Sequence, residues 1–300
     1  MTAPNSTPSS LKIWLLAARP KTLPAAAAPV VVGTSVAINE GVFHPGPALA
    51  ALLGALLLQI GSNLANDVFD YKKGADTTKR LGPMRVTQAG LLTPPQVLVG
   101  MWTVFGLAAL IGLYLIWVGG WPVVVIGLAS IAAAVAYTGG PFPLGYHGLG
   151  DLFVFIFFGL VAVCGSYYVQ AGTISWLAVW SAVPVGVLVV NILVVNNLRD
   201  IDTDRAAGKK TLAVRLGSRG AQSEYLLLLA FAYLVPLLLW LLGKTSPWMM
   251  LAWLSLPAAW RPTRLVLTEN GSILNQALAG TARLALIFAV LFSVGLVAGV

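Results

Sequence analysis

The sequence predicts an all-α polytopic membrane protein with about nine transmembrane helices, and three observations predict it. Of 300 residues, 58% are hydrophobic and 9% charged, and the mean hydropathy is +0.86. So little polar surface cannot cover a water-soluble globule. Apolar runs recur along the whole chain, most of them near the roughly 20 residues that a spanning helix needs. Finally, the basic residues show the one-sided bias that orients polytopic chains.

Residues 1–11 read as a polar tail, and residues 12–300 as a single transmembrane domain. Arg19 and Lys21 interrupt the first apolar run, so no cleaved signal is expected. The runs fall at 22–38, 46–65, 95–118, 121–138, 152–171, 176–195, 225–242, 246–260 and 284–300. Pro20, Pro24 and Pro29 mark the first, and the eighth is short and proline-interrupted. A lone cysteine, Cys164, excludes an intrachain disulfide, and His44 and His147 have no zinc-ligand spacing.

With the N-terminus inside, 17 of the 18 Lys and Arg residues collect on the cytoplasmic side, and only Lys244 falls outside. That count includes Lys79 and places Arg261, Arg264 and Arg283 in the last cytoplasmic loop. It predicts a cytoplasmic N-terminus and an external C-terminus in a bacterial cytoplasmic membrane. The net charge of +8 is then a topology signal, and no nucleic-acid partner is expected from cations split among short loops.

The acidic residues cluster differently. Six of ten lie in two segments, Asp67, Asp70 and Asp76 after the second run and Asp200, Asp202 and Asp204 after the sixth. Aligning "NDVFDYKKGADTTKRLG" with "NNLRDIDTDRAAGKKTLAVRLG" brings Asn66 over Asn196 and Asp70 over Asp200, a weak internal repeat four spans apart. Both copies emerge on one face of the membrane. Residues i and i+4 share a helix face, so Asn66 points with Asp70, and Asn196 with Asp200 and Asp204. Asp202, two residues past Asp200, points about 200° around the helix from it and reads as a solvated residue. Carboxylates gathered this closely repel unless a cation neutralises them. Hard oxygen donors without Cys or His suit Mg²⁺ or Mn²⁺, usually shared with phosphate. The interleaved Lys and Arg side chains suit the remaining phosphate oxygens. A diphosphate at the mouth of an apolar bundle implies a lipid diphosphate, with its tail among membrane lipid.

Five stretches, "ARPKTLPAAAAPVVVGT" (18–34), "NDVFDYKKGADTTKRLGPMRVTQ" (66–88), "YTGGPFPLGYHGLGDLFVFIFFG" (137–159), "NNLRDIDTDRAAGKKTLAVRLG" (196–217) and "LNQALAGTARL" (274–284), resemble the UbiA superfamily of intramembrane aromatic prenyltransferases. "RLGPMRVTQ" and "YTGGPFPLGY" point within it to the branch that acts on 1,4-dihydroxy-2-naphthoate. The resemblance implies a nine-helix bundle with a cytoplasmic-side active site. It places Asn66, Asp67 and Asp70 in a first metal-diphosphate motif and Asn196, Asp200 and Asp204 in a second, with the four aspartates as catalytic groups. Gly74 stands where the superfamily often has a further acid, and Asp76 is the candidate substitute ligand. Arg80, Arg85 and Lys209 or Lys210 are implied diphosphate clamps, and Arg19 and Lys21 hold the diphosphate or the aromatic carboxylate. Tyr137, Tyr146 and Asp151 mark the region of the aromatic acceptor. The implied reaction is transfer from an allylic polyprenyl diphosphate to the naphthalenediol, with loss of CO₂ and diphosphate, giving a demethylmenaquinol. "FVFIFFGLVAVCGSYY" is a candidate lining for the prenyl channel. The rival readings are a sister prenyltransferase, with a phytyl donor or a hydroxybenzoate or homogentisate acceptor, and an ion transporter. Against the transporter stands the absence of any acid buried in mid-span.

Overall fold

Helical structure starts earlier than the polar N-terminus suggests. The computed structural model describes residues 9–76 and 80–299, and α1 (Ser10–Ala18) already begins inside the expected tail. Residues 1–8 of that tail, and Lys79, lie outside the described residues. α1 ends at Arg19, whose φ of 52° is the one left-handed non-glycine backbone among the described residues. The turn Pro20–Thr22 then redirects the chain into α2 (Leu23–Asn39). Pro24 falls in the first turn of α2, where its missing N–H leaves no donor unpaired. Pro29 lies inside the helix, buried among its neighbours.

α3 (Pro45–Lys72), α4 (Pro94–Gly119) and α5 (Trp121–Ala136) follow. A reciprocal box between Thr93 and Gln96 caps the first turn of α4 and satisfies donors that the helix itself cannot. α6 (Gly150–Val154) runs through a π-helical stretch, Phe155–Val161, into α7 (Ala162–Ala171). α8 (Trp176–Arg199), the short α9 (Ile201–Ala206) and α10 (Leu212–Leu241) come next. After a 3₁₀ segment, Pro247–Ser255, the chain closes with α11 (Leu256–Thr268) and α12 (Leu274–Val297). Among the described residues, seven helical units are long and apolar enough to cross a membrane, and α5 is a shorter apolar helix. The broken unit Pro247–Thr268 falls at the proline-interrupted eighth run. The chain is an integral membrane protein.

Two helices outrun their apolar runs in a way that matters for the site. α3 continues to Lys72 and α8 to Arg199, so Asn66, Asp67, Asp70 and Asn196 stand on terminal helical turns and not in loops. Several cations assigned to loops also prove helical. Arg215 and Arg219 lie on the first turns of α10, where Gly217 (φ 72°) kinks the helix. Arg261 and Arg264 belong to α11, and Arg283 lies inside α12 with its side chain exposed. Apolar runs undercount helix length because polar residues at a membrane surface do not end a helix.

The central core joins α2, α7, α8, α10 and α12 through residues such as Val32, Leu188, Tyr233 and Phe288. Small residues set the closest approaches. A Cβ built on Gly186 would come within 2.9 Å of the Gly159 Cα, so α8 and the π-helical stretch touch backbone to backbone. Bilayer helices commonly associate this way. Beside this core, α2, α3, α4, α5 and the π-helical unit enclose an apolar cavity of about 350 Å³. Tyr137, Phe153, Phe157 and Phe158 line it, together with Gln59 and Ser62 of α3.

Candidate active site

Both acid motifs end in the same backbone device. At the end of α3, Ala75 N–H donates to Asp70 C=O at 2.9 Å and Gly74 N–H to Tyr71 C=O at 3.0 Å, with Gly74 at φ 69°. At the end of α9, Lys209 N–H donates to Asp204 C=O at 2.9 Å and Gly208 N–H to Arg205 C=O at 3.1 Å, with Gly208 at φ 74°. This is the Schellman closure, whose left-handed residue is best supplied by glycine. Gly74 therefore stands where it does to end the helix. Structurally, Asp70 corresponds to Asp204, one turn further along than the sequence alignment of Asp70 with Asp200 suggests.

The break between α8 and α9 at Asp200 leaves the helical path intact. Asp200 N–H bonds Asn196 C=O at 3.2 Å, and Asp204 N–H bonds Asp200 C=O at 2.7 Å. Asp200 and Asp204 are buried, whereas Asp202 is exposed and pairs with Arg205 at 3.4 Å.

The two motifs meet through Lys209. Its ammonium lies 3.6 Å from Asp70 Oδ1 and 3.5 Å from Asp204 Oδ1, and 4.6 Å from the centre of the Tyr146 ring. Lys73 approaches the same ring at 5.1 Å. Tyr146 donates its hydroxyl to Asp70 Oδ1 at 2.8 Å. Burial first, then the Asp70 charge, holds this phenol above its ordinary range, so it keeps the proton it donates. Burial, and then the charges of Asp200 and Asp70, push Asp204 up to about 6 against the pull of Lys209.

Arginines neutralise the remaining acids. Arg85 pairs with Asp70 at 3.0 Å and with Asp76 at 3.3 Å, and Arg80 also pairs with Asp76. Asp76, the candidate substitute ligand, thus lies between two guanidinium groups. Arg199 donates to Asp200 and, at 2.8 Å each, to Asn196 Oδ1 and Asn275 Oδ1. Asn66 Oδ1 accepts from Thr138 at 3.0 Å. Among the described residues, no three acid, His or Cys side chains are grouped closely enough to hold a metal ion. The expected ligand shell is therefore not preassembled. The donors still suit a hard divalent ion, because Asp70 and Asp204 already converge on one cation.

Asp67 is placed elsewhere than expected. Its two oxygens accept the backbone N–H groups of Val86 and Thr87 at 3.1 and 3.0 Å, with Arg19 at 3.9 Å. It fixes the 80–92 loop immediately after Arg85. Lys21 and Lys210 are exposed, and Lys210 joins the site only by its backbone N–H, 2.7 Å from Tyr146 C=O. Tyr137 lines the apolar cavity, and both carboxylate oxygens of Asp151 are buried without a hydrogen-bond partner.

A family model of UbiA prenyltransferases matches residues 26–278. The chain belongs to the UbiA prenyltransferase family. The 1,4-dihydroxy-2-naphthoate octaprenyltransferase of Escherichia coli (strain K12) is 39% identical over 96% of this chain and 96% of its own length. That of Mycobacterium tuberculosis (strain ATCC 25618 / H37Rv) is 42% identical over 88% of this chain and 89% of its own. A UbiA homolog from Archaeoglobus fulgidus, solved bound to GPP and Mg²⁺, has a TM-score of 0.70 over 95% of this chain and 99% of that one. At 14% identity that likeness shows the fold alone.

Within this UbiA bundle four site residues escaped sequence reasoning. Arg199 reads as one more positive-inside cation, and Asn275 and Thr138 as polar residues at helix ends. Gly82 reads as a turn residue, yet a Cβ there would fall 2.8 Å from Arg199 and 3.0 Å from Arg80. Asn275 also donates to Leu81 C=O at 2.8 Å. The pairing of the 80–92 loop with α8 and α12 reveals the roles of Arg199, Asn275 and Gly82, and the contact of Thr138 with α3 reveals its own; these contacts span up to 194 residues.

Proposed function

We propose that this enzyme transfers a polyprenyl group from an allylic polyprenyl diphosphate to 1,4-dihydroxy-2-naphthoate, releasing diphosphate and CO₂ and forming a demethylmenaquinol. The observation that carries this reading is the convergence of two acid-and-base motifs, 134 residues apart at Asp70 and Asp204, beside an apolar cavity of about 350 Å³. The full-length likeness to 1,4-dihydroxy-2-naphthoate octaprenyltransferases supports the choice of acceptor.

Asp70 and Asp204, with Asn66, Asn196 and Asp200, would hold Mg²⁺ or Mn²⁺. Such an ion supplies charge neutralisation to the departing diphosphate. Arg80, Arg85 and Lys209 donate to the diphosphate oxygens and stabilise the charge that develops as the allylic C–O bond breaks. Tyr137, Phe153 and Phe157 present aromatic rings to the allylic carbocation and keep water from it. The acceptor lies between these rings and the polar cleft, near Tyr146 and Asp151, with Arg19 positioned for its carboxylate. Its electron-rich ring attacks the cation at carbon, and the carboxylate leaves as CO₂. The N-terminus and the acid motifs face the cytoplasm, and the C-terminus lies outside.

The test is expression in a menaquinone-deficient bacterial host followed by mass spectrometry of extracted quinones. Menaquinones should reappear, and in membranes turnover should vanish with EDTA and return with Mg²⁺ or Mn²⁺. A membrane-inserted, folded protein that yields no naphthoquinone product would refute the acceptor assignment.

A further inference from the structure

Lys209 sits where a metal bridging the two motifs is needed. Its ammonium is 3.6 Å from Asp70 and 3.5 Å from Asp204, and among the described residues no second Lys or Arg pairs with both carboxylates. The lysine is held from several sides. Its own N–H closes the cap on Asp204 C=O, the next residue's N–H bonds Tyr146 C=O, and the Tyr146 ring lies against the ammonium at 4.6 Å. Tyr146 is in turn fixed by its hydroxyl on Asp70 at 2.8 Å. The arrangement is closed: carboxylate, phenol and ammonium each hold the next.

We infer that Lys209 is a built-in placeholder cation, which neutralises Asp70 and Asp204 before substrate arrives and moves to the diphosphate when a divalent ion takes its place, with Tyr146 as its positioning residue. This inference rests on the metal-dependent reading above. Two cations cannot share the gap between the same two oxygens without repulsion, so a metal entering alone must displace an ammonium that has no new partner. A metal entering with a prenyl diphosphate brings that partner. Metal and diphosphate then bind with positive coupling, and the coupling is reciprocal. Lys is suited to this role where Arg80, Arg85 and Arg199 are not. Its charge is compact and its four-carbon stem flexible, whereas a guanidinium fork is committed to a fixed planar geometry. Gly208, in the left-handed region immediately before Lys209, lets the stem turn back over the motif.

The experiment measures Mn²⁺ binding by the electron paramagnetic resonance of free Mn²⁺, using full-length protein in detergent without any diphosphate. Lys209→Met should bind Mn²⁺ about tenfold more tightly than the parent protein, because an internal competitor has gone. Lys209→Arg keeps the charge and should stay weak. Tyr146→Leu should also bind more tightly, and Tyr146→Phe, which keeps the ring but loses its hydroxyl on Asp70, should fall between the parent and Tyr146→Leu. With Mn²⁺ saturating, Lys209→Met should bind geranyl thiodiphosphate more weakly than the parent. Loss of a merely structural contact would not tighten metal binding. If monodisperse Lys209→Met binds Mn²⁺ alone no more tightly than the parent, the placeholder role is overturned while the metal reading stands. If neither protein binds Mn²⁺ even with the thiodiphosphate, both fall.

Discussion

The carboxylate of Asp67 accepts the backbone N–H of Thr87 at 3.0 Å, while its other oxygen takes that of Val86. An acid inside the N-D-x-x-D motif thus acts as an anchor for the loop that delivers Arg85. Asp67→Ala should cost about 3 kcal/mol, since two buried hydrogen bonds to a charged acceptor are lost together. Asp67→Asn retains one acceptor oxygen and should lose about half as much. Thermal melts in detergent and proteolysis of the 80–92 loop read this out. Unchanged melting with undiminished protection would show that Asp67 does not hold the loop.

The second motif separates its three acids by face. Asp202 has a side chain 94% exposed, against 11% for Asp200 and 12% for Asp204. Asp200→Ala and Asp204→Ala should each lower turnover about a hundredfold or more, the scale of losing an electrostatic group at a metal-assisted site. Asp202→Ala should keep most activity. Product formation at saturating Mg²⁺, with monodisperse elution as the folding control, decides it. Equal inactivity of all three would mean that the cleft does not lie on the Asn196–Asp200–Asp204 face.

Asp204 titrates at about 6 in the fold against 3.8 in its ordinary state. A carboxyl whose pKa is raised by folding binds its proton more tightly when folded. Its stabilising contribution is complete below the lower value and disappears as pH rises through the higher one. In EDTA, the parent protein should therefore lose melting temperature relative to Asp204→Asn between about pH 4 and pH 6. A constant difference between the two proteins across that window would contradict the raised value.

Sidedness can be tested at two exposed positions. In a Cys164→Ser background, Asp202→Cys should resist membrane-impermeant thiol reagents in intact cells and react in inverted vesicles. Lys244→Cys, at the one cation assigned outside, should do the reverse. Matching behaviour at both positions would invalidate the proposed topology.

The sequence carried the bundle and the location of the site because both depend on local signals. Nine apolar runs predict nine helical units, and the i, i+4 spacing of Asn196, Asp200 and Asp204 survives a helix boundary. Partner choice was not local. Which acid meets which base depends on the 80–92 loop folding over the ends of α8 and α12, so the loop contacts of Asp67, the arginine pairs of Asp76 and the roles of Arg199 and Asn275 went unnoticed. The register of the internal repeat was hidden for the same reason. Sequence alignment weighs residue identity, and it set Asp70 beside Asp200; the glycine closures set it beside Asp204.

Those closures turn spacing into a fixed dimension of the enzyme. Three exposed residues separate Asp70 from Gly74, and three separate Asp204 from Gly208. The side chains at 71, 72 and 205–207 point outward and can vary, whereas Lys73 reaches the Tyr146 ring at 5.1 Å and is tied to the cleft. The number of residues in each triplet cannot vary. One residue inserted or deleted in either triplet would turn the acid by about 100° relative to its stop and swing it out of reach of Lys209. In each segment, length is therefore more restrictive than composition, and a frame-preserving deletion scan would find two narrow intolerant windows beside tolerant stretches of the same polarity.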